Sequence, residues 1–132
     1  MSETFIVGDT GSPVEIVGVH GGESSLFWKR FCTGNMLYSD LDSFEHVVVP
    51  SGSVIGEHVH SRTEEIYFIV RGEGEMMVDG APHEVRAGDL VLTPLGSRHS
   101  FRPGGDGAEI IVIEMLPPEI SAALPPHSPS AS

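Results

Sequence analysis

Short apolar runs closed by glycine, proline or charged punctuation recur along most of this chain. "SFEHVVVP" (43–50), "EIYFIV" (65–70), "GEMMVDGAPHEV" (74–85), "DLVLTP" (89–94), "HSFRP" (99–103) and "EIIVIEML" (109–116) follow one another with little between them. Several are strand-length and rich in Val and Ile, and none carries the 3.6-residue period of an amphipathic helix. "VDGA" sets Asp79-Gly80 between apolar flanks, a hairpin turn signal because both positions tolerate positive φ. A further strand is expected near Val14 to Val19, while "SLFWKRF" (25–31) fits a strand or a helical turn equally. The pattern predicts about six to eight short strands, almost no helix, and an all-β sandwich or barrel.

Composition narrows this further. At 132 residues the chain has room for one core. Sixteen glycines and ten prolines suit tight turns between strands. The formal net charge is -12, and the seven Lys and Arg are scattered, which argues against nucleic acid and against an anionic membrane surface. Cys32 is the only cysteine, so no intramolecular disulfide or thiolate cluster can form; a pocket thiol and a small buried hydrophobe are its two readings. Met1 to Gly11 lacks the basic region and apolar core of a signal peptide, and no run reaches the roughly 20 residues of a membrane helix, so the cytoplasm is the expected location. The expected organisation is an N-terminal segment (1–22), a barrel domain (23–116) and a mobile Pro/Ser-rich tail (117–132). Residues 119–124 are too few to make a stable helix alone.

The chemistry concentrates in "GSVIGEHVHSRTEEIYFIVRG" (52–72). Strand side chains at i and i+2 share a face, so His58 and His60 project together. "SRT" is a polar break suited to a bend, after which Glu65, Tyr67 and Ile69 share one face. If the break turns the chain back, Glu65 meets the histidines, and two imidazoles with one carboxylate suit a divalent first-row metal. The alternative is a strand pair with solvated polar residues. Other histidines (His20, His83, His127) have no partner at ligand spacing and are expected at the surface; Met36, Met76, Met77 and Met115 are expected to fill the core.

Downstream lies "GDLVLTPLGSRH" (88–99), and the two segments together resemble the paired motifs of the cupin superfamily. The first motif runs Gly, five residues, His-x-His, four residues, Glu, six residues, Gly, filled by Gly52, His58, His60, Glu65 and Gly72. The second is filled by Gly88, Pro94, Gly96 and His99, with Pro103 where the pattern has Asn. The resemblance spans residues 52–103 and implies a small double-stranded β-helix, or jelly-roll, barrel. It also implies His58, His60, Glu65 and His99 as ligands of a divalent transition metal, iron or manganese first, with zinc, nickel or copper as alternatives.

The resemblance further implies an enzyme acting on a small oxygenated metabolite. Dioxygenase-type chemistry stands first, non-redox isomerase, decarboxylase or cyclase chemistry next, and a non-catalytic small-ligand or sugar-binding module as the alternative. By alternation, Tyr67, Ile69 and Phe101 are expected to line the pocket, joined by Phe44, His46 and Val48 from the preceding strand. Tyr67 and His46 are the catalytic candidates: Tyr67 to position a substrate or give a proton, His46 as a general base or supporting group. Each also reads as structural, Tyr67 as a barrel-filling aromatic and His46 as a hydrogen-bonded histidine. Ile66, Phe68 and Val70, on the opposite face of the strand from Tyr67, are candidates for covering by another sheet or by a second copy, and a homodimer is expected.

Overall fold

A computed structural model of the chain describes residues 13–18 and 25–125. His20, His127 and the termini lie outside the described residues. The elements are β1 (Val14–Val17), β2 (Ser25–Thr33), β3 (Leu41–Val49), β4 (Ile55–Val59), β5 (Glu64–Val78), β6 (Ala81–Arg86), β7 (Leu90–Thr93), β8 (Arg98–Met115) and a helical turn α1 (Pro118–Ser121). "SLFWKRF" is strand, since its β-branched and aromatic neighbours on β3 offer a ladder that a single helical turn could not replace. All strand pairing is antiparallel.

Two long strands organise the barrel. The C-terminal half of β8 pairs with β3 on one side and with the first half of β5 on the other. The N-terminal half of β8 pairs with β4 and with the second half of β5. β5 in turn pairs with β7 by its first half and with β6 by its second. The result is two sheets, β1-β2-β3-β8-β5-β7 and β4-β8-β5-β6, sharing β5 and β8 as bent strands: a double-stranded β-helix. Sequence punctuation predicts four separate strands where the structure has these two. "RGEG" and "PGGDG" bend the strands without ending them, with register shifts at Ile69/Arg71 and Gly72/Gly74.

Gly72 shows how tight that bend is. Its φ is +83°, and a Cβ there would sit 2.2 Å from the Gly107 carbonyl oxygen, so only glycine lets the two bends cross. The core below them is Val49, Ile69, Met76, Phe101, Ala108 and Ile110, each at 0–1 % exposure. Met76 fills it as expected, while Met36, Met77 and Met115 are only partly buried. Past β8, Leu116 N–H donates to Asp40 O, and α1 is a single turn. Among the described residues no helix is long and apolar enough to cross a membrane.

Candidate metal centre

The interior face of the larger sheet is laid out in rows. Ser43, Glu114 and Glu65 with Thr93 form the first; Arg30, Glu45, Val112 and Tyr67 the second; Trp28, Val47, Ile110 and Ile69 the third. Polarity therefore falls from the open end toward the core. Against the polar end the smaller sheet sets His58 on β4, directly across from His99 on β8. His60 follows just past the end of β4. Its carbonyl accepts a hydrogen bond at 2.9 Å from Gly96 N–H. Gly96 has φ +80°, so the Pro94–Ser97 turn reaches His60 through a backbone geometry natural to glycine.

One donor atom each from His58, His60, Glu65 and His99 falls within a set whose members all lie within 4.8 Å of one another. Ligands around one ion at bonds of about 2.1 Å stand about 3 to 4.2 Å apart, so a small contraction closes the set. The rings crowd accordingly, with centroids 4.7 Å apart for His58 and His60 and 4.2 Å for His58 and His99. Orientation is already supplied. His58 Nδ1 lies 2.8 Å from the Gly56 carbonyl, which makes that nitrogen the N–H donor and Nε2 the ligating atom. His60 Nδ1 is held 3.3 Å from the Thr63 hydroxyl in the same way.

The electrostatics fit a cation. Burial alone would push the Glu65 carboxyl up, but hydrogen bonds with His60 and His99 overcome it and hold it well below the usual carboxylate range. The Glu65 hydrogen bond raises His60 in turn, against its own desolvation. Glu65 Oε1 lies 2.5 Å from His60 Nε2, so carboxylate and imidazole form a close pair, while the buried His99 Nδ1 has no hydrogen-bond partner among the described residues. A carboxylate this deeply buried is costly unless positive charge stands beside it, from a protonated imidazole or from a bound cation. The donor set thus fits a divalent ion of the first transition row.

A cavity of about 330 Å³ opens beside these donors, walled by Leu26, Trp28, Val47, Ile55 and Val112 and reached by His58, His60 and Tyr67. Tyr67 is 3 % exposed, and burial first, then the Glu65 carboxylate, push its phenol well above its ordinary value, so it stays protonated. Two carboxyls, Glu45 and Glu114, also face this cavity. Ser43 Oγ lies 3.3 Å from Glu45 Oε2 and 3.1 Å from Glu114 Oε2. One hydroxyl proton cannot satisfy both, so the second contact calls for a proton on a carboxyl. Burial, then Glu45, push Glu114 up to about 7, making it the natural holder.

Several sequence expectations change here. His46 and Phe44 are not in the cavity but on the outer face of the larger sheet. There His46 Nε2 meets Glu109 Oε1 at 2.6 Å, and both rings lie against Phe31. The strand alternates as expected, but the inward set is Ser43, Glu45, Val47 and Val49; "FEHVVV" is apolar on both faces, so the run could not reveal which one turns in. Val48 is outward for the same reason. Ile69 and Phe101 do point inward, yet they are packed in the core at 0 % and 1 % exposure and do not line this cavity. Alternation counted from Val47 would have found Glu45; Glu114 follows from its pairing with Glu65, which no local pattern reports. Cys32 is partly buried with Sγ against the Thr33 carbonyl, and His83 is exposed.

With barrel and donors in place, residues 45–115, more than half of the chain, match the family model described as Cupin domain, and the chain belongs to that family. It is 28 % identical over 95 residues to an "Oxalate-binding protein" of Thermotoga maritima, covering 72 % of this chain and 78 % of that protein. It is 37 % identical over 70 residues to "Protein SchB" of Streptomyces halstedii, spanning about half of each (53 % and 51 %). Among solved structures, a predicted oxalate decarboxylase from Thermotoga maritima superposes with a TM-score of 0.81 at 26 % identity, over 86 % of this chain and 100 % of the other.

Proposed function

We propose that this cupin binds one divalent transition metal through His58, His60, Glu65 and His99 and is an enzyme acting on a small oxygenated metabolite in the adjoining cavity. The observation that carries this reading is the convergence of all four donors, contributed by both sheets, on one point at the cavity's edge. A metal held by these four side chains would keep room for an oxygen-bearing ligand, to which it would supply Lewis acidity or, as iron or manganese, a redox partner. Oxygen chemistry is the first choice; decarboxylation, isomerisation and cyclisation come next. The printed name of the Thermotoga relative, oxalate binding, supports a small ligand that meets the metal through oxygen, although Glu45 and Glu114 in this cavity disfavour a dicarboxylate such as oxalate itself.

The chain's own residues divide the remaining work. Tyr67, held protonated on the cavity wall, is placed to donate a hydrogen bond to the ligand. The apolar wall excludes water. Glu114, near neutrality in proton affinity, can pass a proton at pH 7. His46, turned outward, has no such role. A non-catalytic binding module uses the same donors and cavity without turnover, and is the second reading favoured by the name of the Thermotoga relative.

Metal analysis of the purified chain, with His99→Ala beside it, tests the reading. One ion per chain, and a loss of affinity of at least about 100-fold in the variant, are expected. A wild-type chain that takes up no divalent ion under any supplementation overturns it. Oxygen uptake with keto acids, diols and catechols then divides redox from non-redox chemistry.

A further inference from the structure

We infer that Glu45 and Glu114 set the ligand specificity of this cavity, admitting a neutral hydroxylated ring and rejecting dicarboxylates. The inference rests on the reading of the cavity as a ligand chamber and adds a substrate class to it.

Hydrogen-bond complementarity is the first ground. Beside the metal donors, the cavity also presents the oxygens of two carboxyls drawn toward one serine hydroxyl. Whatever proton the pair holds, acceptors outnumber donors there. A ligand hydroxyl finds an acceptor; a ligand carboxylate finds another carboxylate. Charge is the second ground. Arg30 is the only Lys or Arg among the described residues lining the cavity, and its guanidinium is already engaged by Glu45 at 2.9 Å. No basic side chain remains there to receive a second anionic group, and like charges at close range in a partly dry chamber repel strongly. Shape is the third. Trp28 and the aliphatic wall of Val47, Ile55 and Val112 offer an apolar surface suited to one face of a ring. The cavity of about 330 Å³ has room for a single six-membered ring with substituents.

A matched pair of probes reads this directly: catechol, an ortho-diol neutral at pH 7.5, and phthalate, the same ring carrying ortho-carboxylates. Both are titrated by calorimetry into the zinc-loaded full chain, which removes redox turnover from the measurement. Catechol is expected to bind at least 10-fold more tightly than phthalate. Glu114→Gln is expected to narrow that ratio at least 10-fold, since the amide removes the charge and brings donors; Glu45→Gln should act in the same direction and also releases Arg30. Failure of the loaded chain to bind catechol, a preference for phthalate, or a ratio unchanged in both variants overturns the inference. Metal content measured on the same samples keeps the two readings apart. A metal-loaded chain without the preference overturns this inference alone. A chain that holds no metal but keeps the preference overturns the metal centre alone, and one with neither overturns both.

Discussion

His60 and Glu65 set the behaviour of the centre at the scale of single residues. Without metal they form a close pair, with His60 raised by Glu65 and Glu65 lowered by His60 and His99. A metal needs neutral imidazole, so uptake must expel the His60 proton, and protons compete until the pH exceeds the raised value. Apparent affinity is therefore expected to fall on going from pH 8 to pH 6, starting above the ordinary histidine value of 6.5, as a competition titration against a chelator of known pH dependence would show. Glu114 works with the opposite sign. Its folded value of about 7 lies above its ordinary 4.5, so between these values the folded chain holds a proton the unfolded chain has released. Stability is thus lost as pH rises through that window. In metal-free protein, Glu114→Gln is expected to raise the melting temperature at pH 8 and to have little effect at pH 4, read by a thermal scan at each pH.

Among the elements, the bends of β5 and β8 matter most. They let one strand serve two sheets, which places Glu65 and Met76 of β5 on different walls of the same barrel. Gly72→Ala is expected to cost about 2–4 kcal/mol, combining a left-handed backbone with the Gly107 carbonyl in the way. Gly52→Ala, with φ +83° and nothing within 4 Å of its added Cβ, isolates the backbone cost at about 1–2 kcal/mol. Denaturant midpoints of the two variants check the difference. The same elements show where sequence reading reached its limit. Glycine and proline mark both a strand end and a bend within a strand, and the local residues are alike in the two cases; whether the ladder continues is decided by the partner strand. On β3 the period was legible and the parity was not, which left His46 and Phe44 on the wrong face.

On the scale of the whole molecule, the larger sheet has a second, outward face. Lys29, His46, Ile111, Phe68 and Leu90 form one row across it, and Phe44, Ile113, Ile66 and Leu92 the next. Phe68, Leu90 and Leu92 are 36 %, 55 % and 65 % exposed. An apolar sheet face open to water favours association, and we propose that a homodimer would pack this face against its copy. Light scattering coupled to size exclusion is expected to give a dimer mass for the wild type and a monomer mass for Phe68→Glu/Leu92→Glu. Unchanged metal content in that variant would show that the two faces act independently.

The sequence by itself determined the all-β class, the spacing that pairs His58 with His60, the inward face of Glu65 and Tyr67, and the motif resemblance that ties in His99. These are local properties, set by strand period and by the few backbone positions that need glycine. Only the tertiary structure decided that β5 and β8 run unbroken through two sheets, which side of β3 lines the cavity, and that Glu45 and Glu114 close on Ser43. Those depend on which strands lie side by side, and that choice is made by long-range pairing rather than by neighbours along the chain.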